Sequence, residues 1–193
     1  MGGVGVGMRN AAAVNLLNPA AYSAVRPKSF LFDFGLEGQC FYNSQKYYGQ
    51  TLNTSYYTVN FHDIAFQLPI AKHLGLGFSL TPYSSVGYRM KQEVDDDEIW
   101  GNIGRVQYQW DGDGDVTEVK LGLGWEIFRG FSIGIAAQYY WGDIQRIYKT
   151  AILENITGGG LIADATGTET YSVSRFKGQF GVQWSPISNR RRI

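Results

Sequence analysis

The feature that most constrains the fold of this chain is a repeated alternation of apolar residues with glycine and polar residues. The clearest case covers residues 116–128, where two sets of alternate positions differ sharply in character. The apolar set is Val119, Leu121, Leu123, Trp125 and Ile127, and the other set is Glu118, Lys120, Gly122, Gly124 and Glu126. Successive side chains of a β-strand point to opposite faces of the sheet, so this period predicts a strand with one apolar and one polar face.

The same period recurs along most of the chain and predicts an all-β, antiparallel fold with about six long strands. The predicted strands cover residues 29–40, 52–68, 74–81, 116–128, 131–147 and 171–185. A shorter alternating run at 105–110 is interpreted as an extension beyond the membrane. Several of these stretches exceed the roughly 9–11 residues of a tilted membrane strand and the roughly 5–6 residues common in soluble sheets.

Aromatic placement and loop lengths favour an outer-membrane barrel over a soluble β-sandwich with an aromatic core, the alternative fold for period-two strands. Aromatic residues make up 15% of the chain, and Tyr139, Tyr140, Trp141 and Trp184 lie where strands are predicted to end. Such rings favour the headgroup region of a membrane. Short predicted turns alternate with long predicted loops at 91–115 and 148–170. This layout predicts a transmembrane β-barrel in the outer membrane of a Gram-negative bacterium.

The number of strands indicates an incomplete barrel. Six strands are fewer than the roughly eight of the smallest closed barrels, and open strand edges in lipid are costly. We therefore expect the chain to be the N-terminal part of a larger barrel; the alternative is a barrel assembled from several chains. No signal peptide is recognisable in MGGVGVGMRN, so we expect the leader to be missing from this chain. The predicted organisation is a hatch or plug segment at 1–27, followed by barrel strands at 28–193.

Two stretches of the sequence resemble the long-chain fatty-acid transporter (FadL-like) family of outer-membrane barrels. The Gly-rich start leads to Asn18-Pro19-Ala20, and residues 112–142 form a Gly-rich hairpin with an aromatic strand end. The resemblance implies a barrel of about fourteen strands, within the known range of sizes. It also implies an N-terminal hatch and passive transport of hydrophobic compounds such as long-chain fatty acids. Because a variant of that family carries cargo proteins, the alternative function is a cell-surface scaffold or cargo-protein-binding barrel without small-molecule transport.

The candidate functional residues are Asn18, Pro19 and Ala20, which we expect to anchor the hatch. Proline lacks a backbone donor and asparagine bonds to nearby backbone, so both suit an irregular plug. The alternative is an ordinary turn before the first strand. Residues 11–17 are predicted to form a short helical turn that ends at Asn18-Pro19. The expected partners are membrane lipid and hydrophobic small molecules, with secreted proteins under the alternative function.

Other chemistries have little support in the sequence. The 17 basic residues are matched by 17 acidic residues, and a nucleic-acid-binding module usually carries a basic excess. His62 and His73 lack partners at metal-binding spacing, so no metal site is expected. Asp111, Asp113 and Asp115 do not continue as an EF-hand loop and are interpreted as a solvated acidic loop. No catalytic motif is recognisable, so the chain is predicted to be neither an enzyme nor a cofactor-binding protein.

Overall fold

The computed structural model describes residues 4–47, 49–94, 105–154 and 165–185. These residues form two short 3-10 helices, at Val4–Val6 and Pro19–Ala24, and six strands. The strands are β1 (Leu31–Tyr47), β2 (Gln50–Ala71), β3 (Leu74–Glu93), β4 (Arg105–Phe128), β5 (Phe131–Glu154) and β6 (Ala165–Trp184). They form one antiparallel sheet in the order of the chain, and within the described ranges β1 and β6 each pair with one neighbour only. The all-β, antiparallel fold and its six predicted strands are confirmed.

The strands are longer than the sequence predicted. Asp111, Asp113 and Asp115, expected in a long loop, lie inside β4, and Tyr139 to Trp141 lie inside β5 rather than at its end. Gly114 and Gly142 explain why the strands continue. Both have positive φ angles and approach the backbone of the neighbouring strand, at Asp143 and Asp115 respectively. The remainders of the two expected loops, 95–104 and 155–164, lie outside the described residues.

A β-bulge in β2 keeps the apolar residues of two neighbouring strands on one face. Gly35 of β1 pairs with Asp63, whereas the next residue, Leu36, pairs with Phe61, so His62 is an extra residue in β2. A bulge opposes two residues of one strand to one residue of its partner. Phe34 and Phe61 therefore lie on the same face, with ring centroids 6.3 Å apart. The bulge thus shifts the alternation along β2, and the apolar residues on both sides of it share one face.

Two-residue turns join β2 to β3 and β4 to β5. They consist of Lys72-His73 and Arg129-Gly130, and the second was predicted from the sequence. His73 and Gly130 both have positive φ angles, of 69° and 87°. Short loops with a residue of positive φ match the twist of paired strands, which is why these hairpins are tight.

The two faces of the sheet have the opposite exposure to that of a soluble β-protein. In β4, Lys120 is 7% exposed, whereas its neighbour Leu121 is 53% exposed and Trp125 is 52% exposed. Buried positions on β2 and β3 are likewise Asp63, Gln67 and Ser79. An apolar face turned outward and a polar face turned inward are typical of membrane barrels. The arrangement favours the membrane fold over the soluble sandwich. Among the described helices, none is long and apolar enough to cross a membrane.

The chain divides into two compact units. The first comprises Met1–Pro82, Glu118–Tyr139 and Phe176–Ile193, and the second comprises Tyr83–Thr117 and Tyr140–Arg175. The first unit contains the chain before β1 and the parts of the sheet that it covers. In the second unit, Arg89 Nε lies 3.1 Å from a carboxylate oxygen of Asp111, and the rings of Tyr83 and Tyr140 meet edge to face.

Candidate functional site

The N-terminal segment, defined here as residues 4–30, lies against the polar face of the sheet in the first unit. Six glycines on four strands form the surface that receives it: Gly75 and Gly77 of β3, Gly122 and Gly124 of β4, Gly134 of β5 and Gly181 of β6. A Cβ atom at Gly77 would lie 2.6 Å from the Tyr22 ring, and one at Gly122 would lie 2.8 Å from it. Glycine at these positions permits the close approach of the segment. We call these six residues the glycine seat.

Three consecutive carbonyl groups of the segment each accept a hydrogen bond from a different strand. Gln67 of β2 donates to the Asn15 carbonyl at 3.1 Å. Lys120 of β4 donates to the Leu16 carbonyl at 2.8 Å, and Gln179 of β6 donates to the Leu17 carbonyl at 2.7 Å. Buried backbone carbonyls need such partners where no regular helix or strand supplies them. The sheet therefore holds an irregular segment through its polar face.

Asn18 connects three parts of the first unit. Its side-chain oxygen accepts from the Ala20 amide at 3.0 Å and so caps the second 3-10 helix. Its side-chain nitrogen donates to the carbonyl of Val6 at 2.8 Å and to that of Val182 in β6 at 3.4 Å. Pro19 and Ala20 follow at the first positions of the helix and are both buried. All three residues predicted from the sequence thus lie against the sheet, and whether they act in a moving hatch stays a prediction.

The predicted helical turn over residues 11–17 is wrong, because the helix begins after Asn18 rather than ending there. Asparagine is a strong N-cap, and proline at the first helical position has no amide that would need a partner. Residues 15–17 instead take an irregular path stabilised by Asn15. Its side-chain nitrogen donates to the carbonyls of Gly5 and Met8, each at 2.8 Å.

A buried ion pair lies beneath the segment. Lys120 Nζ is 3.3 Å from a carboxylate oxygen of Glu118, and both side chains are almost fully buried. Gln138 of β5 donates to the same carboxylate at 3.0 Å. Tyr22 packs above, and its burial, with a smaller effect of the Glu118 charge, raises the pKa of its hydroxyl to about 12. Tyr22 therefore stays neutral at physiological pH.

A second charged cluster lies where the segment meets the turns of the sheet. Arg9 contacts Ser132 of β5 and forms an ion pair with Glu126 of β4 at 3.2 Å. Glu126 also lies 3.1 Å from the imidazole of His73 and accepts a hydrogen bond from the Gly130 amide at 3.1 Å. The carboxylate is thereby shared among three donors, and it links the segment to both short turns.

This site can hold a peptide segment firmly, because its hydrogen-bond donors and ion pairs already contact the N-terminal segment. Among the described residues, no cluster of His, Cys, Asp or Glu has the geometry to hold a metal ion. The sequence did not reveal the donors Gln67, Lys120, Gln179 and Gln183, or their acceptors, which are the carbonyl oxygens of Asn15, Leu16, Leu17 and Gly7 respectively. The available signal was their common position on the non-apolar face of predicted strands, where long donor side chains stand beside glycines.

Comparison with known proteins gives one family match. The BamG family model matches residues 1–192, which is nearly the whole chain. No curated protein and no solved structure matches the chain. The resemblance to the FadL-like fatty-acid transporters is therefore wrong as a family assignment, and with it the expectation of fatty-acid or lipid transport. In this chain, Pro19 and Ala20 pack against Gly124 and Gly134 of the hairpin, so these shared features have a structural role that does not by itself identify a family.

By its name, the matching family is related to the BAM complex. This relation agrees with the outward apolar face of the sheet and with the expected outer-membrane location. The chain is an outer-membrane-associated protein and belongs to the BamG family.

Proposed function

We propose that this protein is a partner-binding scaffold of the outer membrane that acts with the BAM complex and transports no small molecule. The observation that carries the proposal is the BamG family match over residues 1–192. The match favours the alternative function, a protein-binding scaffold, over the transport of small molecules. The expected partners are accordingly proteins of the BAM complex.

The N-terminal segment supports this role. A transport path along the polar face needs open space, whereas the N-terminal segment covers this face and accepts hydrogen bonds from Gln67, Lys120, Gln179 and Gln183. Releasing the segment would break these hydrogen bonds, at a net cost of about 0.5–1.5 kcal/mol for each one. We propose that Asn18, Pro19 and Ala20 anchor the segment as a fixed part of the scaffold.

The exposed apolar face supports membrane insertion of the sheet. Phe32, Phe34 and Leu36 of β1 are all more than half exposed, with values of 60%, 53% and 65%. Exposed apolar surface of this extent is unusual for a soluble protein and fits contact with acyl chains. We propose that the protein is a component of the membrane without enzymatic activity.

Co-isolation from the native outer membrane tests the proposal. The protein, carrying an affinity tag, is extracted in mild detergent, and the recovered subunits are identified by mass spectrometry and by blotting for the BAM complex. We expect BAM subunits to be recovered in fixed proportion to the tagged chain. An unrelated tagged outer-membrane barrel is the control. Recovery of BAM subunits no greater than with that control would contradict the proposal.

A further inference from the structure

A cavity of about 790 Å³ opens where the N-terminal segment meets the turn end of the sheet. One wall is formed by residues 23–27 of the segment, and the others by the two short turns after β2 and β4. Its volume is in the range of about 300–1,000 Å³ of small-ligand sites, which is larger than a single bound ion needs.

The charge of the cavity is strongly one-sided. Among the described residues, five basic side chains line it, namely Arg9, Arg26, Lys72, His73 and Arg129, and Glu126 is the one acidic residue. Glu126 is already engaged by Arg9 and His73. Within the described ranges of the chain, Arg26, Lys72 and Arg129 form no ion pair, and all three are exposed. The cavity therefore presents three cations without an acidic partner around a carboxylate that is already neutralised.

The charge of the cavity and its place in the sheet indicate the kind of ligand. Arg9, Ser23 and Glu126 lie on the polar side of the sheet, where the N-terminal segment lies, and Leu74, Ile127 and Phe128 also line the cavity. The cations without an acidic partner call for an acidic ligand, and the proposed function requires protein partners, so the ligand that fits both is an acidic segment of a protein. In outer-membrane barrels the short turns face the periplasm, so the partner's segment would be periplasmic.

We propose that this cavity binds an acidic peptide segment of a protein partner, with Arg26, Lys72 and Arg129 as its principal contacts. The inference rests on the proposed scaffold function and specifies the chemistry of one partner surface. The cations lie on turns and on the segment, and the segment is itself fixed by the glycine seat. The backbone positions that carry these cations are therefore fixed around the cavity before any ligand binds.

The test uses the full chain, purified in detergent, with a fluorescein-labelled hexa-aspartate peptide as the probe and hexa-asparagine as the neutral comparison. The cavity variant is Arg26→Gln, Lys72→Gln, Arg129→Gln. The control variant, Lys46→Gln, Arg175→Gln, Lys177→Gln, removes the same charge from exposed positions that do not line the cavity. Circular dichroism confirms that both variants keep the strand content of the wild type.

We expect hexa-aspartate to bind the wild type in a salt-sensitive manner and the cavity variant about tenfold more weakly, as for the loss of three exposed ion pairs. The control variant should bind like the wild type. The proposal would be overturned if both variants lost the same affinity for hexa-aspartate, or if hexa-asparagine bound as tightly as hexa-aspartate. It would also be overturned if hexa-aspartate did not bind the wild type. Cavity-dependent binding of phosphatidylglycerol vesicles without peptide binding would overturn it too, since it would identify a lipid site.

The outcome is separable from that of the scaffold proposal. If the chain co-isolates with the BAM complex but the peptide does not bind, only the cavity inference fails. If the peptide binds but no BAM subunit is recovered, the scaffold proposal fails and the cavity remains a site for acidic peptides.

Discussion

Lys120 in β4 donates a hydrogen bond to the carbonyl oxygen of Leu16 at 2.8 Å while it remains paired with Glu118 at 3.3 Å. One buried ammonium group thus contacts both a carboxylate of the sheet and a carbonyl oxygen of the segment packed on it. Because a buried charge is stable only when it is paired and hydrogen-bonded, the ion pair and the N-terminal segment stabilise each other.

Replacing Lys120 with Met should destabilise the protein by about 3–5 kcal/mol, since it leaves the Glu118 carboxylate buried without its cation. Thermal or denaturant unfolding measures the change. Adding Glu118→Gln should recover part of the loss, because the neutral amide needs no cation. Lys177→Met, at an exposed site on β6, is the control and should have little effect. If both methionine variants have the same stability, the buried pair is not structurally important.

Gly77→Ala should loosen the N-terminal segment, because its Cβ would lie 2.6 Å from the Tyr22 ring. Overpacking of this kind costs about 1–3 kcal/mol. Limited proteolysis within residues 4–30 is the readout, and we expect faster cleavage. Gly87→Ala, in the same strand, places its Cβ in open space and should cleave like the wild type. Equal cleavage rates in the two variants would argue against the glycine seat.

Asn18→Ala removes the cap of the second 3-10 helix and the donor to the Val6 carbonyl. Losing a cap costs about 0.5–2 kcal/mol, and losing the hydrogen bond to Val6 adds about 0.5–1.5 kcal/mol. We expect faster hydrogen exchange at the Ala20 amide, measured by mass spectrometry, together with a lower unfolding midpoint. Asn43→Ala, an exposed substitution in β1, is the matched control. Unchanged exchange at Ala20 would exclude an anchoring role for Asn18.

Tyr22 makes stability depend on pH in the alkaline range. Its hydroxyl has a pKa of about 12 in the folded protein, against 10.0 ordinarily, so the folded state keeps a proton that the unfolded chain loses. The associated stability is complete below pH 10 and is lost as the pH rises to about 12. In that window the wild type should lose about 1.4 kcal/mol per pH unit more than Tyr22→Phe. Parallel pH profiles for the two proteins would show that Tyr22 is not buried as described.

The sequence predicted the strand period, the tight turn at Arg129-Gly130 and the bonding of Asn18 to nearby backbone, because each depends on local chemistry. It did not predict that β4 and β5 continue through Gly114 and Gly142, since a glycine-rich acidic stretch resembles a loop until its pairing partner is known. The contacts of Gln67 and Lys120 could not be predicted from the sequence either. Both depend on the distant carbonyls of residues 15 and 16, whose positions only the folded segment establishes.

Locking the N-terminal segment tests the central claim, that it is a fixed part of a partner-binding scaffold. The hydroxyls of Ser23 and Ser132 lie 3.0 Å apart, so Ser23→Cys, Ser132→Cys in a Cys40→Ser background offers a disulfide between the segment and β5. Recovery of BAM subunits with the tagged protein is then compared between its oxidised and reduced forms, with each single cysteine variant as a control. We predict the same recovery with the disulfide formed as with it reduced. Loss of BAM subunits on oxidation that a reductant restores would contradict the claim, since it would show that the segment must move.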